Sequence, residues 1–208
     1  MRSSQVVRRA HSPGWVLEAE IPNARYTPAH SPRTRRRDLP ARAPGWGCPS
    51  TLNEVQTFLP HPDFEASAHA LDDKRLGKQR VEAIQVVRGL LRPGYGWARH
   101  PAVLMWKGYE EAVGRYGLTC CEVWTGRGHA DTCADTIAAD LAAAGITRVR
   151  TQGELARAGR LPPWLGDEDF HRSHRSSLLR KDPDHYGPLF GDVPDDLPYV
   201  WPVRRSRD

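Results

Sequence analysis

The chain has 208 residues, which is enough for one domain with a core of its own. No apolar stretch approaches the roughly 20 residues that a membrane-spanning helix needs, so we expect no membrane partner. The net charge of +5 lies entirely in residues 1–54, which hold nine Arg and four acidic residues, and residues 55–208 are neutral. Net charge therefore gives no argument that residues 55–208 bind nucleic acid; only a local cluster of cations can give one.

The first segment of the chain, residues 1–54, contains seven prolines and the run RTRRR, without a sustained hydrophobic period. This composition is typical of disordered segments, so we predict a disordered extension. The extension is either a functionless tail or a basic arm for nucleic acid. The stretch VQTFLPHPDF resembles the beginning of a chain, and a GTG codon encodes Met at a start but Val elsewhere. We therefore hypothesise that the natural start is Val55 and that residues 1–54 are a mis-assigned extension.

Helical periodicity dominates the rest of the chain, and strand patterns are nearly absent. Pro62 and Asp63 predict a helix from about residue 63, and the sequence then continues this helix or starts a second one that ends near Leu91. Further helices are predicted over residues 100–117, 118–128 (with Thr119 as a plausible N-cap), 130–145, 151–159, 167–181 and 182–190, followed by an extended segment over 192–202. The predicted fold class is all-α, a compact single-domain helical bundle over residues 55–208.

The stretch LDDKRLGKQRVEA places one glutamate, Glu82, among four cations. On a helical wheel Arg75, Lys78, Gln79 and Glu82 share one face, because side chains three and four residues apart are neighbours. From the pattern alone, Glu82 is a partner in surface ion pairs; the alternative is an acid that performs chemistry against a polyanion. Apolar residues recur at helical spacing on the same helix and form an apolar arc: Leu76, Ala83, Ile84, Val87 and Leu91. Arg80 falls within this arc, where a cation must find a partner or line a cleft.

The stretch HRSHRSSLLRK forms a second polar cluster, which includes His171, His174, Arg175 and Lys181. Arg, His and Ser side chains all donate hydrogen bonds to phosphate oxygens, so a helix that contacts phosphates is one interpretation. A plain surface helix is another. His171 and His174 also have the i, i+3 spacing of two metal ligands, but no third ligand follows at a known spacing.

Metal binding has one further candidate, in which His129 and Cys133 bind zinc together with Cys120 or Cys121. No C-x-x-C motif supports this site, so we assign no metal ligand and expect no cofactor. The adjacent pair Cys120 and Cys121 favours reduced thiols over a disulfide framework, which indicates a cytoplasmic protein.

Three stretches together resemble a known family: QTFLPHPDFEASAHALDDKRLGKQRVEA, GWARHPAVLMWKGYEEAVGRYG and HRSHRSSLLRKDPDHY. They look like the pyrimidine dimer DNA glycosylases, the relatives of phage endonuclease V, and in particular like a bacterial branch that begins MQTFLP. The resemblance covers about residues 56–190. It implies a compact all-α enzyme that cuts the glycosidic bond of a dimer's 5′ pyrimidine and then nicks the abasic strand.

The resemblance also implies a catalytic pair of groups. The family's nucleophile is the α-amine of the first residue, which attacks C1′ and forms a Schiff base. By register, the family's catalytic glutamate falls on Glu82. The amine would belong to a Met encoded at Val55, or to Gln56 or Thr57 after other processing. An α-amine suits this role because its pKa near 7.7–8.0 leaves much of it neutral at working pH.

The partner that the resemblance implies is double-stranded DNA, bent and with a flipped nucleotide. Arg75 stands where the family has a helix histidine, and His100 matches the histidine that opens the next helix. We expect a monomer. The full set of candidate DNA contacts is Arg75, Lys78, Arg80, His100, His174 and Arg175.

Two alternatives from other classes stay open. The first is a DNA-binding protein that keeps the fold but lacks the amine and therefore the chemistry. The second is a metal-dependent hydrolase built on His129, Cys133 and the pair His171 and His174.

Overall fold

The structure is a computed structural model that describes residues 55–202, so the predicted extension 1–54 lies outside the described residues. Between residues 55 and 202 there are eight helices and no strand, which confirms the predicted all-α class. None of these eight helices combines the length and apolar character that a membrane span requires. They are α1 (Phe64–Ala70), α2 (Asp73–Leu91), α3 (Pro101–Leu104), α4 (Glu110–Gly126), α5 (Cys133–Ala143), α6 (Gln152–Arg157), α7 (Glu168–Lys181) and α8 (Pro183–Phe190).

Aspartate side chains set the starts of the first two helices. Asp63 accepts the backbone N–H of Ala66 at 2.8 Å and caps α1. Asp72 accepts the N–H of Arg75 at 2.9 Å and caps α2. Each carboxylate satisfies an N–H group that has no partner within its helix. The stretch that was predicted to continue the first helix or to restart therefore restarts, at Asp72.

The predicted helix over residues 100–117 is wrong, and so is the separate helix after it. The chain forms the short α3, turns at Gly108 with a φ of +87°, and then forms α4 without a break at Gly117. A Cβ at position 117 would lie 2.6 Å from the Cβ of Ala83 and 2.8 Å from Cδ1 of Ile137. Gly117 therefore allows helices to approach closely rather than ending one. Thr119 lies inside α4, where its hydroxyl donates to the carbonyl of Arg115 rather than capping a helix start.

Helix α2 is the centre of the fold. Its most extensive contact is with α4, and α5 packs against both of them, while α1 packs on α4 and α7 pairs with α8. The apolar arc predicted for α2 faces this core, although Ile84 and Leu91 at its edges are only half-buried. The buried apolar side chains at the junction of α2, α4 and α5 are Leu76, Ala83, Val87, Val113, Tyr116, Ile137 and Leu141.

Arg80 finds the partners that its place in the apolar arc requires. Its guanidinium forms an ion pair with Asp131, which precedes α5, and lies 4.1 Å from the centroid of the Trp124 ring. Trp124 in turn stacks on His129. An ion pair and a cation–π contact together compensate a cation whose side chain is 12% exposed. Arg80 thus ties the connection between α4 and α5 to α2.

Replacement of Gly117 by alanine tests the close approach of α2, α4 and α5. The added methyl group would overlap Ala83 and Ile137, so we expect Gly117→Ala to lower the free energy of unfolding by about 1–3 kcal/mol. Urea denaturation measures this change. Gly126→Ala is the matched control in the same helix, because nothing lies within 4 Å of a Cβ there. An equal loss of stability in both variants would contradict the packing explanation.

Candidate active site

The residues before α1 form an extended segment that is buried rather than exposed. We call residues 55–59 the entry segment; Val55, Thr57, Phe58 and Leu59 within it are buried. Its hydrogen-bond partners lie on α2, α4, α7 and the closing stretch of the chain. An extended segment in a core must satisfy its backbone N–H and C=O groups, and no strand lies beside it within residues 55–202. Side chains therefore have to supply the partners.

Gln79 on α2 supplies two of these partners. Its Nε2 donates to the carbonyl oxygen of Gln56 at 3.0 Å, and its Oε1 accepts the backbone N–H of Phe58 at 2.8 Å. Tyr116 on α4 donates from its hydroxyl to the carbonyl oxygen of Phe58 at 2.7 Å. Gln79 and Tyr116 are both fully buried. Two polar side chains of the core thus hold the middle of the entry segment.

Two histidines of α7 bind the last residue of the entry segment, Leu59. Leu59 donates its N–H to Nδ1 of His174 at 2.9 Å, and its carbonyl lies 2.8 Å from Nδ1 of His171. Because Nε2 of His171 accepts the N–H of Gly166 at 3.0 Å, Nδ1 carries the proton and donates to Leu59. Burial lowers the pKa of both histidines, that of His174 well below its usual value. Both imidazoles are therefore neutral and belong to the core.

Thr57, a predicted catalytic residue, has no exposed surface. Its hydroxyl accepts the indole N–H of Trp106 at 3.3 Å, and its carbonyl accepts the hydroxyl of Tyr199 at 2.9 Å. These contacts with Trp106 and Tyr199 anchor the entry segment in addition to its contacts with Gln79. The placement of Thr57 supports an anchoring role, and its catalytic role stays a prediction.

Glu82 lies beside Gln56, the second residue of the entry segment, and its exposed fraction is 2%. Its Oε1 is 3.3 Å from the backbone nitrogen of Gln56 and 3.2 Å from Nζ of Lys78, while Oε2 accepts a hydrogen bond from Nε2 of Gln79. Burial raises the pKa of Glu82 to about 7, although Lys78, the Gln56 N–H and Lys181 act in the opposite direction. Glu82 is therefore not a surface ion-pair partner. It is a buried carboxylate that can exchange protons near neutral pH.

The predicted DNA contacts do not form one surface. Lys78 is exposed, whereas the guanidinium of Arg75 pairs with Asp72 and Asp182 and donates to the carbonyl of Lys181 at 2.7 Å. These contacts place Arg75 at the junction of α2 and α7. Its role as a DNA contact stays a prediction.

The other four predicted contacts lie at different places in the fold. Arg80 is engaged between α2 and α5, and the guanidinium of Arg175 lies 2.6 Å from a carboxylate oxygen of Glu168. His100 caps α3 and lies between the rings of Trp97 and Trp201. The side chain of His174 is fully buried and accepts the N–H of Leu59, and its role as a DNA contact stays a prediction.

Sequence reasoning missed three of the site's groups. Gln79 carried a signal, since it shares a helical face with Lys78 and Glu82, but nothing in the pattern separates a buried Gln from an exposed one. Lys181 lies at the end of α7, with its Nζ 5.6 Å from the centroid of the Phe58 ring. Tyr199 had no local signal at all, because it reaches the site from the closing stretch of the chain.

The residues proposed for metal binding are used otherwise. In the stretch that the structure describes, no three His, Cys, Asp or Glu side chains are grouped to hold a metal ion. His129 stacks on Trp124, and His171 and His174 bind the two polar groups of Leu59. The three cysteines in this stretch are free thiols: Cys120, Cys121 and Cys133.

Comparison with known proteins finds one family model that matches part of the chain. Residues 55–137 match the family model for pyrimidine dimer DNA glycosylase. The matched range begins at the entry segment, includes Gln79 and Glu82, and ends within α5. The resemblance seen in the sequence is confirmed over this range. No curated protein and no solved structure matches the chain.

Burial of Glu82 gives a testable dependence of stability on pH. Because its pKa is raised on folding, the folded protein holds the proton more tightly, and stability is lost as pH rises through about 7. Glu82→Gln removes this loss. We expect the free energy of unfolding of the variant, relative to that of the wild type, to increase by on the order of 2–3 kcal/mol from pH 5 to pH 8. Denaturant unfolding at each pH measures this difference.

The control for the charge change is Glu65→Gln, at an exposed position of α1. A difference in free energy of unfolding between Glu82→Gln and wild type that is the same at pH 5 and pH 8 would contradict the raised pKa of Glu82.

Proposed function

From the family match, we propose that residues 55–208 form a DNA repair glycosylase with abasic-site lyase activity. Its substrate is a pyrimidine dimer in double-stranded DNA, and its chemistry passes through a Schiff base on a chain-terminal amine. The match over residues 55–137 supports a DNA repair glycosylase. One distance supports the finer mechanism: the backbone nitrogen of Gln56 lies 3.3 Å from a carboxylate oxygen of buried Glu82.

The nitrogen at this position is a nucleophile only when it ends the chain. In a continuous chain it is a peptide amide, whose lone pair is delocalised into the carbonyl. In a chain that begins at Gln56, this nitrogen is an α-amine with a pKa near 7.7–8.0. A chain that starts with Met at position 55, or with Thr57, would carry its α-amine one residue before or after this nitrogen. The proposed function therefore requires a start within residues 55–57.

In the proposed reaction, the neutral amine attacks C1′ of the damaged nucleotide. The bond between nitrogen and C1′ forms as the glycosidic bond breaks, and the pyrimidine leaves with the bonding electrons. Ionised Glu82 takes a proton from the attacking amine and passes it to O4′ as the sugar opens, so that the carboxylate is ionised again beside the iminium ion that forms. In the β-elimination a base then removes a proton from C2′, and the bond between C3′ and its phosphate oxygen breaks with the phosphate as the leaving group.

Two exposed lysines flank this site. Lys78 lies 3.2 Å from Glu82, and Lys181 is exposed above the ring of Phe58. Both are exposed cations of the kind that pairs with DNA phosphates. The cations Arg75, Arg80 and Arg175 each form an ion pair with a carboxylate.

Borohydride trapping tests the amine mechanism. The 208-residue chain and a chain that starts at Val55 read as Met are each mixed with an abasic-site duplex and a thymine-dimer duplex, then reduced. We expect a covalent adduct with the shorter chain only, because only that chain carries an α-amine at the entry segment. A shorter chain with a few residues added before position 55 is the control.

Binding of DNA by both chains without any adduct would favour the non-catalytic DNA-binding alternative. An adduct with both chains would place the reacting amine elsewhere, on a lysine.

Substitution of Glu82 tests the role of its carboxylate in the mechanism. We expect Glu82→Gln to lower the rate of strand cleavage about 10²–10⁴-fold, the usual contribution of a general acid–base group. DNA affinity should stay within a few-fold, since the buried carboxylate does not face the phosphates. Single-turnover cleavage and equilibrium binding separate the two effects. Wild-type turnover in this variant would remove Glu82 from the mechanism.

A further inference from the structure

The hydrogen bonds of Gln79 connect the carboxylate of Glu82 directly to the entry segment. One N–H of its amide donates to Oε2 of Glu82, and the other donates to the carbonyl of Gln56. Its Oε1 accepts the N–H of Phe58 and lies 2.9 Å from the hydroxyl of Tyr116. Tyr116 has one hydroxyl proton, which it donates to the carbonyl of Phe58 at 2.7 Å, so both donors and one acceptor position of the amide are used.

These partners leave the amide of Gln79 only one orientation. Rotation by 180° would point the carbonyl oxygen at two oxygens, those of Gln56 and Glu82, and the NH₂ group at the N–H of Phe58. Because Gln79 is fully buried, no water can relieve such a mismatch. A single side chain therefore fixes both the position of the carboxylate and the path of the backbone that leads to it.

We propose that Gln79 is a positioning residue of the reaction, which holds the nitrogen at position 56 against Glu82 and keeps Glu82 ionised for the step. The inference rests on the proposed function, since it assigns Gln79 a task within the same site. Its N–H to Glu82 favours the charged carboxylate over the neutral acid, and its contacts with Gln56 and Phe58 prevent the entry segment from moving away.

Other groups around Glu82 also act on its charge. Lys78 on the same helix, 3.2 Å away, has the largest effect in favour of the ionised form, followed by the Gln56 N–H and by Lys181 on α7; both lysines are exposed, so water screens them. Tyr116 on α4 and Tyr199 in the closing stretch stay neutral, because burial raises the pKa of each well above its usual value. Gln79 is the buried side chain that donates to Glu82 from within hydrogen-bonding distance.

The test compares Gln79→Met with Gln152→Met in the full chain. Gln152 makes the same kind of contact far from Glu82: its Oε1 accepts the N–H of Phe64 at 2.8 Å, and its Nε2 donates to the carbonyl of Pro62 at 2.9 Å. The ¹³C resonance of the Glu82 carboxyl, identified by its loss in Glu82→Gln, is followed from pH 4 to 9. If Gln79 contributed only to general stability, the Glu82 titration would not shift in Gln79→Met while staying unchanged in Gln152→Met.

We expect the carboxyl in Gln79→Met to titrate about one pH unit higher than in wild type, because a donor to the charged form is lost. Gln152→Met should titrate as wild type. In the form of the protein that gives the borohydride adduct, the acid limb of the adduct's pH–rate profile should move by the same amount, with unchanged DNA affinity. If Gln79→Met does not fold, Gln79→Glu replaces it, and a second carboxylate should move the titration further upward.

An unshifted Glu82 titration, or an equal shift in Gln152→Met, overturns the inference whatever the activity. An unshifted acid limb of the adduct's pH–rate profile would show that Gln79 has no role in the reaction. Absence of any adduct with the wild-type protein overturns the proposed function, an outcome that the carboxyl titration distinguishes from failure of the Gln79–Glu82 contact.

Discussion

Burial of the non-helical entry segment, with no strand beside it among residues 55–202, is the constraint on which the rest of this structure depends. The backbone of residues 56–59 is bound by side chains from helices α2, α4 and α7 and from the closing stretch. Each of these side chains must be polar and buried, which is costly unless every hydrogen bond is made. This requirement explains why Gln79, His171 and His174 lie in the core of a small helical protein.

The same segment gives Glu82 its properties. On an isolated α2, Glu82 would face water beside Lys78, and its ion pair would contribute little. The entry segment covers it, so that the carboxylate loses water and gains only a few hydrogen bonds in return. Holding a carboxylate in this state lowers stability at neutral pH, and such a cost is typical of a site that serves chemistry rather than packing. The arrangement also brings the backbone nitrogen of Gln56 to the carboxylate.

Charge on this protein is local rather than global. Residues 55–208 carry no net charge, and cations such as Arg75, Arg80 and Arg175 form ion pairs with carboxylates. Lys78 and Lys181 are the exposed cations beside Glu82. Because residues 55–208 carry no net charge, long-range attraction of a polyanion is weak, and salt screens it within about 8 Å at physiological ionic strength.

The sequence by itself determined the helical class, the start of a helix at Asp63 and the need of Arg80 for a partner, because capping and helical periodicity are local properties. It also identified Glu82 through resemblance to a family. It misplaced the helix boundaries around Gly117, since a glycine that ends a helix and one that admits a neighbouring helix look alike in one dimension. Only the tertiary structure decided that Glu82 is buried, that Gln79 joins it to the entry segment and that His174 is a core residue. Each of these facts depends on which distant segment covers a helix face, and a helical wheel shows the face but not what covers it.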